Sequence, residues 1–223
     1  MNMKTIDFHT HILPGADHGS DSTETSLNQI ELSRKASVDT IIATPHFYPH
    51  RHRVEDFLKK REMCYNKLMS KTDADVILGA EVLLCEGLNR LKGIEALTIS
   101  GTNVILLELP FTTFKSEYES SIEALIADGY KIVLAHADRY PRESIERLLH
   151  LGVKIQLNAS SIARLIVKKH VMKWIDKGIV VGIGSDIHMV DKKAYKAFMK
   201  TKKKLGDKFL EIMKKSNEII YVK

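Results

Sequence analysis

The sequence predicts an α/β fold on a parallel sheet, in one domain spanning 1–223. Three observations predict it. Seven short runs rich in Val, Ile and Leu recur along the chain, apolar on both faces as in a doubly covered sheet. Longer amphipathic stretches separate them, the alternation expected of β/α units. No Pro- or Ser-rich linker, low-complexity tract or repeat divides the 223 residues. A hydrophobic fraction of 44% and a charged fraction of 28% suit a soluble globular chain that buries a sizeable core.

The strand candidates, in order, are TIDF, TIIATP, DVILGAEVLL, NVILLELP, KIVLAHA, KIQLNA and IVVGIGSD. The first helical pattern covers 22–37, where Leu27, Ile30 and Ala36 share a face and Asp21 with Glu24 resembles a capping box. Further helices are predicted over 54–71, 116–128, 141–151, 161–177 and 191–215. Gly129, Gly152 and Gly178 each follow a helical pattern, where a left-handed cap is expected. A closed (β/α) barrel and an open doubly wound sheet both satisfy this pattern.

Composition narrows the setting. Two cysteines, Cys64 and Cys85, make no disulfide framework and point to a reducing compartment. The N-terminal MNMKTIDFHTH lacks the apolar run of a signal peptide, and no segment approaches the roughly 20 apolar residues of a membrane span. A cytoplasmic protein is expected. The net charge of +6 favours anionic partners. Lys192, Lys193, Lys196, Lys200, Lys202, Lys203 and Lys204 concentrate in one late stretch, which reads as a solvated helix face. Neither aromatic platforms nor a reader motif accompany the charge, so nucleic-acid binding is not expected.

Polar residues gather where the strands end. His9 and His11 follow the first strand and His46 the second. Glu81, Glu108, His136 and the Asp186–His188 pair fall at or after the ends of four later ones. One such residue is an ordinary loop side chain. Six strands delivering them at one end is another matter, because carboxyl ends of parallel strands converge into one rim. Crowded carboxylates and imidazoles are costly without a counter-charge, and divalent metals supply one. A His/Asp/Glu set without Cys suits Mn, Zn or Fe. Eight or nine donors exceed one ion and suggest two or three, with a carboxylate such as Glu108 able to bridge. Such a centre activates hydroxide and stabilises the oxygens of a phosphoester.

Other catalytic patterns fail on spacing. Neither Cys64 nor Cys85 has an Arg at the distance cysteine-based tyrosine phosphatases require. The chain lacks a GxxxxGK[ST] loop and a G-x-S-x-G elbow, and GIGSDIH is a poor dinucleotide fingerprint.

The ordered set DFHTHILPGADHG, TPHFYP, GAEV, LLELP, AHADRY and GSDIHM resembles the PHP (polymerase and histidinol phosphatase) superfamily. Within it the chain resembles the CpsB/CapC-type manganese-dependent bacterial protein-tyrosine phosphatases over about residues 1–195. The resemblance implies a distorted (β/α)7 barrel with metals at its carboxyl rim. It implies His9, His11, His46, Glu81, Glu108, His136, Asp186 and His188 as ligands, and Arg139 as a phosphate-binding residue, a role suited to a guanidinium fork. Two positions depart from the family. His18 stands where the second acid of a DDG motif is usual, which makes His18 a ninth candidate ligand in competition with Asp17. Lys193 stands where an Arg is common, keeping the charge without the fork.

The implied activity is a metal-dependent phosphomonoesterase acting on phosphotyrosine of a bacterial tyrosine kinase in capsule or exopolysaccharide synthesis. It proceeds through a metal-activated hydroxide with no phosphoenzyme, Mn being the expected metal. Alternatives are a small-molecule phosphatase for a substrate like histidinol phosphate, and a non-catalytic metal-stabilised regulatory module. His50 and His52 are candidate edge residues of the site, and Asp7 is expected to face away from the His9–His11 pair.

Overall fold

Strand pairing follows the apolar runs closely. The computed structural model describes residues 3–111 and 114–221. Among them, nine strands pair only in parallel. They are β1 (Ile6–Thr10), β2 (Thr40–Ala43), β3 (His46–Phe47), β4 (Asp75–Leu78), β5 (Glu81–Leu83), β6 (Val104–Glu108), β7 (Lys131–Leu134), β8 (Lys154–Asn158) and β9 (Val180–Gly184). One sheet has the order β1-β2-β4, the other β3-β5-β6-β7-β8-β9.

Two of the seven runs are each broken into two strands. Pro45 has no N–H to give a ladder, so TIIATPHF divides into β2 and β3. The neighbouring run breaks at Gly79–Ala80 into β4 and β5, and buried Arg61 donates from Nη1 to the Gly79 carbonyl at 2.7 Å. The breaks lie side by side. Gly79 N donates to Ala43 O at 2.8 Å and Glu81 N to Pro45 O at 3.0 Å. The free edges of β1 and β9 also meet just past their ends, where Asp186 N donates to His9 O at 2.9 Å and His11 N to Ile187 O at 3.3 Å. No ladder joins β1 to β9 among the described residues.

The helices are α1 (Thr23–Lys35), α2 (Val54–Met69), α3 (Ser116–Ala127), α4 (Arg142–Leu149), α5 (Ala159–Ile162), α6 (Lys169–Asp176), α7 (Lys192–Leu205) and α8 (Asp207–Tyr221). Three expectations change here. The cap of α1 is Ser22 rather than Asp21; its Oγ accepts from Thr25 N at 3.1 Å, while Asp21 takes the Thr25 hydroxyl. The helix predicted over 161–177 is interrupted between α5 and α6, where Lys204 Nζ takes the Arg164 carbonyl at 2.7 Å and lies 3.4 Å from that of Leu165. The helix predicted over 191–215 divides at Gly206, which adopts φ 53°. Gly129, Gly152 and Gly178 take positive φ past α3, α4 and α6, as their positions predicted.

Alternate strand residues face two apolar layers, which is why the runs read as continuously hydrophobic. Ile105, Leu107, Ile132, Leu134, Ile155 and Leu157 pack with the helices. Ile6, Phe8, Val104, Leu106, Val133 and Val181 form a separate inner cluster, against which Ile219, Ile220 and Tyr221 of α8 pack. Fully burying each Leu or Ile contributes roughly 1.5–3 kcal/mol. Polar groups fix α8 there: Ser216 Oγ donates to Val181 O at 2.6 Å, and Asn217 Nδ2 to Lys4 O at 2.8 Å. In α7, Lys192, Lys193, Lys196, Lys200, Lys203 and Lys204 are exposed and Lys202 is half-buried. No helix of the described residues is long and apolar enough to cross a membrane.

Candidate metal centre

The first strand brings two imidazoles to its end by means of a bulge. Regular alternation would put Asp7, His9 and His11 on one face. Pairing with β2 runs Asp7 to Ile41 but Thr10 to Ala43, one residue too many on β1. Asp7 is in none of the metal-competent groups of side chains and is bound elsewhere. Its Oδ1 accepts from Ser185 N at 2.8 Å, and burial pushes its carboxyl up to about 6 against the opposing pull of Ser185 and Tyr195.

His9 Nε2 lies 3.0 Å from His11 Nε2, 3.5 Å from Glu81 Oε2 and 3.4 Å from Asp186 Oδ1. His46 Nδ1 approaches Glu81 Oε2 at 2.9 Å and Glu108 Oε2 at 3.7 Å. His136 Nε2 sits 2.7 Å from Glu81 Oε1 and 3.8 Å from Glu108 Oε1. The His188 ring stacks on that of His11, centroids 4.1 Å apart. Ligand atoms fall into four groups, each within 4.8 Å: His11, His46 and His188; His9, His11 and Asp186; His9, Glu81 and His136; His46, Glu81 and Glu108. All eight residues implied as ligands are brought together. The carboxylate common to two groups is Glu81, not Glu108.

This donor set fits divalent ions. His46 Nδ1 and Glu81 Oε2 face each other inside the cluster yet make no hydrogen bond, and such buried groups are costly unless something pairs them. Two imidazole nitrogens facing each other at 3.0 Å likewise need a proton or a cation between them. Electrostatics agree. Burial pulls the His9 imidazole down, yet Glu81 and Asp186 overcome it and push it up to about 9. Burial would raise the Glu81 carboxyl, but the imidazoles of His9, His11, His136 and His46 hold it well below its ordinary value. Glu108 is pushed up to about 7 by burial and by the Glu81 charge, and His188 down to about 4 by burial and His11.

The ninth candidate sits differently. His18 is exposed and contributes to none of the four groups; its ring stacks on His46 at 4.8 Å and on His188 at 4.7 Å. Asp17 lies behind the cluster instead. Its Oδ2 is 2.7 Å from His11 Nδ1 and accepts from His46 N at 3.0 Å, and these partners outweigh burial to lower its carboxyl. Such a carboxylate fixes the tautomer and aim of a ligating imidazole.

Three side chains escaped sequence reasoning: Asp17 in this role, Gln156 and Asn158. Gln156 Oε1 accepts from His136 N at 2.6 Å, and its amide donates to Asn158 Oδ1 at 3.2 Å. Asn158 Nδ2 donates to Asp186 Oδ2 at 2.9 Å, leaving Oδ1 toward His9 and His11. The one available signal was two polar residues inside an apolar run, KIQLN. Arg139 pairs with the same Asp186 Oδ2 from the rim. Lys193 lines a cavity of about 360 Å³ with Arg139 and Asp186. His50 lines another of about 290 Å³ beside Tyr48, Leu83 and Glu108. His52 Nδ1 accepts from Tyr48 N at 3.1 Å.

Known proteins share this arrangement of chain. The tyrosine-protein phosphatase YwqE of Bacillus subtilis (strain 168) is 28% identical over 197 residues, 83% of this chain and 78% of that protein. The tyrosine-protein phosphatase CpsB of Streptococcus pneumoniae is 24% identical, over 83% of this chain and 84% of its own. A chain from the crystal structures of YwqE and CpsB, described there as unique metal-dependent tyrosine phosphatases, superposes with a TM-score of 0.77. The match covers 97% of this chain and 94% of that one at 21% identity, and so establishes a common fold. The profile of the capsular polysaccharide synthesis family CpsB/CapC matches residues 5–221, and the chain belongs to that family.

Proposed function

We propose that this protein is a metal-dependent protein-tyrosine phosphatase, one domain over 1–223, acting on a bacterial tyrosine kinase of capsule or exopolysaccharide synthesis. The observation that carries the reading is the buried cluster of five imidazoles and three carboxylates, with Arg139 at its mouth. Its geometry also supports a distorted seven-position (β/α) barrel, with β2–β3 and β4–β5 each one interrupted position and β1 beside β9. A cytoplasmic setting suits the free Cys64 and Cys85.

His9, His11, His46, Glu81, Glu108, His136, Asp186 and His188 would hold two or three divalent ions. Mn is the proposed metal, with Zn and Fe admitted by the same donors. When bound, the ions supply a nucleophile at neutral pH and neutralise charge on the phosphoryl group. The protein supplies position. Asp17 aims His11, and Asn158 aims Asp186. Arg139 offers two parallel N–H donors to phosphoryl oxygens, and Lys193 adds a cation across the same cavity. The departing tyrosine oxygen needs little acid assistance, its phenol having a pKa of about 10. No side chain of the protein is phosphorylated in this scheme. His18 stands over the cluster as a substrate-facing ring.

Turnover of a phosphotyrosine peptide with Mn, then with chelator, then in His136→Ala, tests this reading. Loss of at least 100-fold is expected in both controls, given what metal ligands contribute to such chemistry. Full activity in both would contradict it, and faster turnover of histidinol phosphate than of the peptide would assign the small-substrate branch.

A further inference from the structure

Beside the proposed metal centre, past the Arg139 and Lys193 assigned to the phosphoryl group, the rim carries further cations, Arg164 and Lys168, that this role does not explain. A cavity of about 520 Å³ and the 360 Å³ cavity holding Lys193 share Arg139, Asn158, Ser160 and Arg164 as walls. Lys168 lines the first and Lys193 the second, so four cations line two adjoining cavities.

Three carboxylates, Asp138, Asp186 and Asp191, line the same walls and leave a surplus of one positive charge, but each has hydrogen-bond donors of its own. Asp138 Oδ1 accepts from Asn158 N at 2.9 Å, Asp186 Oδ2 takes Asn158 and Arg139, and Asp191 Oδ1 caps Lys193 N at 2.8 Å. Arg164 and Lys193 have no carboxylate partner among the described residues, and Lys168 Nζ reaches only the Asp138 carbonyl, at 3.2 Å. Like charges gathered on concave walls reinforce one another's field and raise the local concentration of anions. Arg164 is not on a loose tether, because Lys204 holds its carbonyl at 2.7 Å.

Phe111, 74% exposed, lines both this cleft and the separate cavity beside Tyr48, Leu83 and Glu108. A bound chain can therefore run from the aromatic side, past the metal cluster, onto the cations. Ile166, 82% exposed, offers an apolar shoulder along the way.

We propose that the Arg164–Lys168 cleft is a substrate subsite for a second anionic side chain on the same peptide, either a carboxylate or another phosphotyrosine. The inference rests on the phosphotyrosine reading above and names what that site selects.

The test compares metal-loaded wild type with Arg164→Ala/Lys168→Ala. The substrates are free phosphotyrosine and phosphotyrosine peptides with neutral, lysine-bearing, glutamate-bearing or doubly phosphorylated sequences. Wild type prefers the anionic peptides. The double variant loses about tenfold in kcat/KM on them relative to free phosphotyrosine, through KM, as expected for two charge-assisted contacts. Whichever anionic peptide loses more identifies the group the cleft takes. Arg164→Glu shifts preference toward lysine-bearing peptides, which a folding defect would not do. An active enzyme whose relative rates are unchanged in both variants overturns the subsite alone. A wild type inert on every phosphotyrosine substrate overturns the phosphatase reading and the subsite with it.

Discussion

His11 is gripped from both sides of its ring. Nε2 points into the cluster, and Nδ1 faces Asp17 Oδ2 at 2.7 Å. Asp17 also takes His46 N, so one carboxylate sets two of the proposed ligands. Asp17→Asn keeps the size and removes the charge. A drop in metal affinity of about 10–100-fold is expected from the loss of such a partner. Equilibrium metal titration of the folded variant checks it, and unchanged affinity would make Asp17 a bystander. At this scale the sequence was legible where chemistry sits in the residue itself: eight His, Asp and Glu side chains at strand ends all entered the cluster. It was illegible where the role depends on a neighbour brought from afar. Asn158 reaches Asp186 across 28 positions and Gln156 reaches His136 across 20, and no local pattern marks either pair. The placing of Asp17 behind His11, with His18 outside the four groups, goes with a tight backbone: an added Cβ at Gly19 would lie 2.1 Å from His11 Cβ.

Irregular strands aim these side chains. An extra residue interrupts the register of β1 between Asp7 and Thr10, and the breaks at Pro45 and Gly79 bring His46 and Glu81 to the start of the second strand segments. Gly184, at the end of β9, shows how little room remains. A Cβ there would stand 2.7 Å from His9 Cβ and 2.6 Å from Gln156 Nε2. Gly184→Ala should destabilise the fold by about 1–3 kcal/mol, the usual cost of overpacking. Thermal unfolding reads it, and a melting temperature equal to wild type would show that the strands give way more freely than their packing implies. Apolar runs and glycine caps announced the elements themselves. Pro45 and Gly206 mark two of the interruptions in the sequence itself, whereas the gap between α5 and α6 has no such local signal. Lys204 capturing carbonyls at Arg164 and Leu165 is invisible from LIVKKH, whose apolar run reads as a continuing helix although Leu165 and Ile166 project into solvent.

The whole molecule works as two layers of apolar packing that hold one polar rim. The inner cluster, covered by the end of α8 on the amino side of the strands, leaves the carboxyl ends free for charged groups. Parallel strands buried on both faces were readable from the recurring apolar runs and the amphipathic stretches between them. Their curvature was not, since periodicity is the same in an open sheet and a barrel. Two buried atoms without a hydrogen-bond partner, His46 Nδ1 and Glu81 Oε2, face each other at this rim, a cost that a bound cation relieves. The central claim is that these side chains hold the metal that makes the protein a phosphatase. Stepwise addition of Mn to metal-stripped protein, reading bound ions by elemental analysis and phosphotyrosine turnover together, tests it most directly. The account predicts more than one ion per chain, turnover that rises as they bind, and loss of both in Glu81→Gln. Turnover in the stripped protein, or full loading of wild type without turnover, would contradict it.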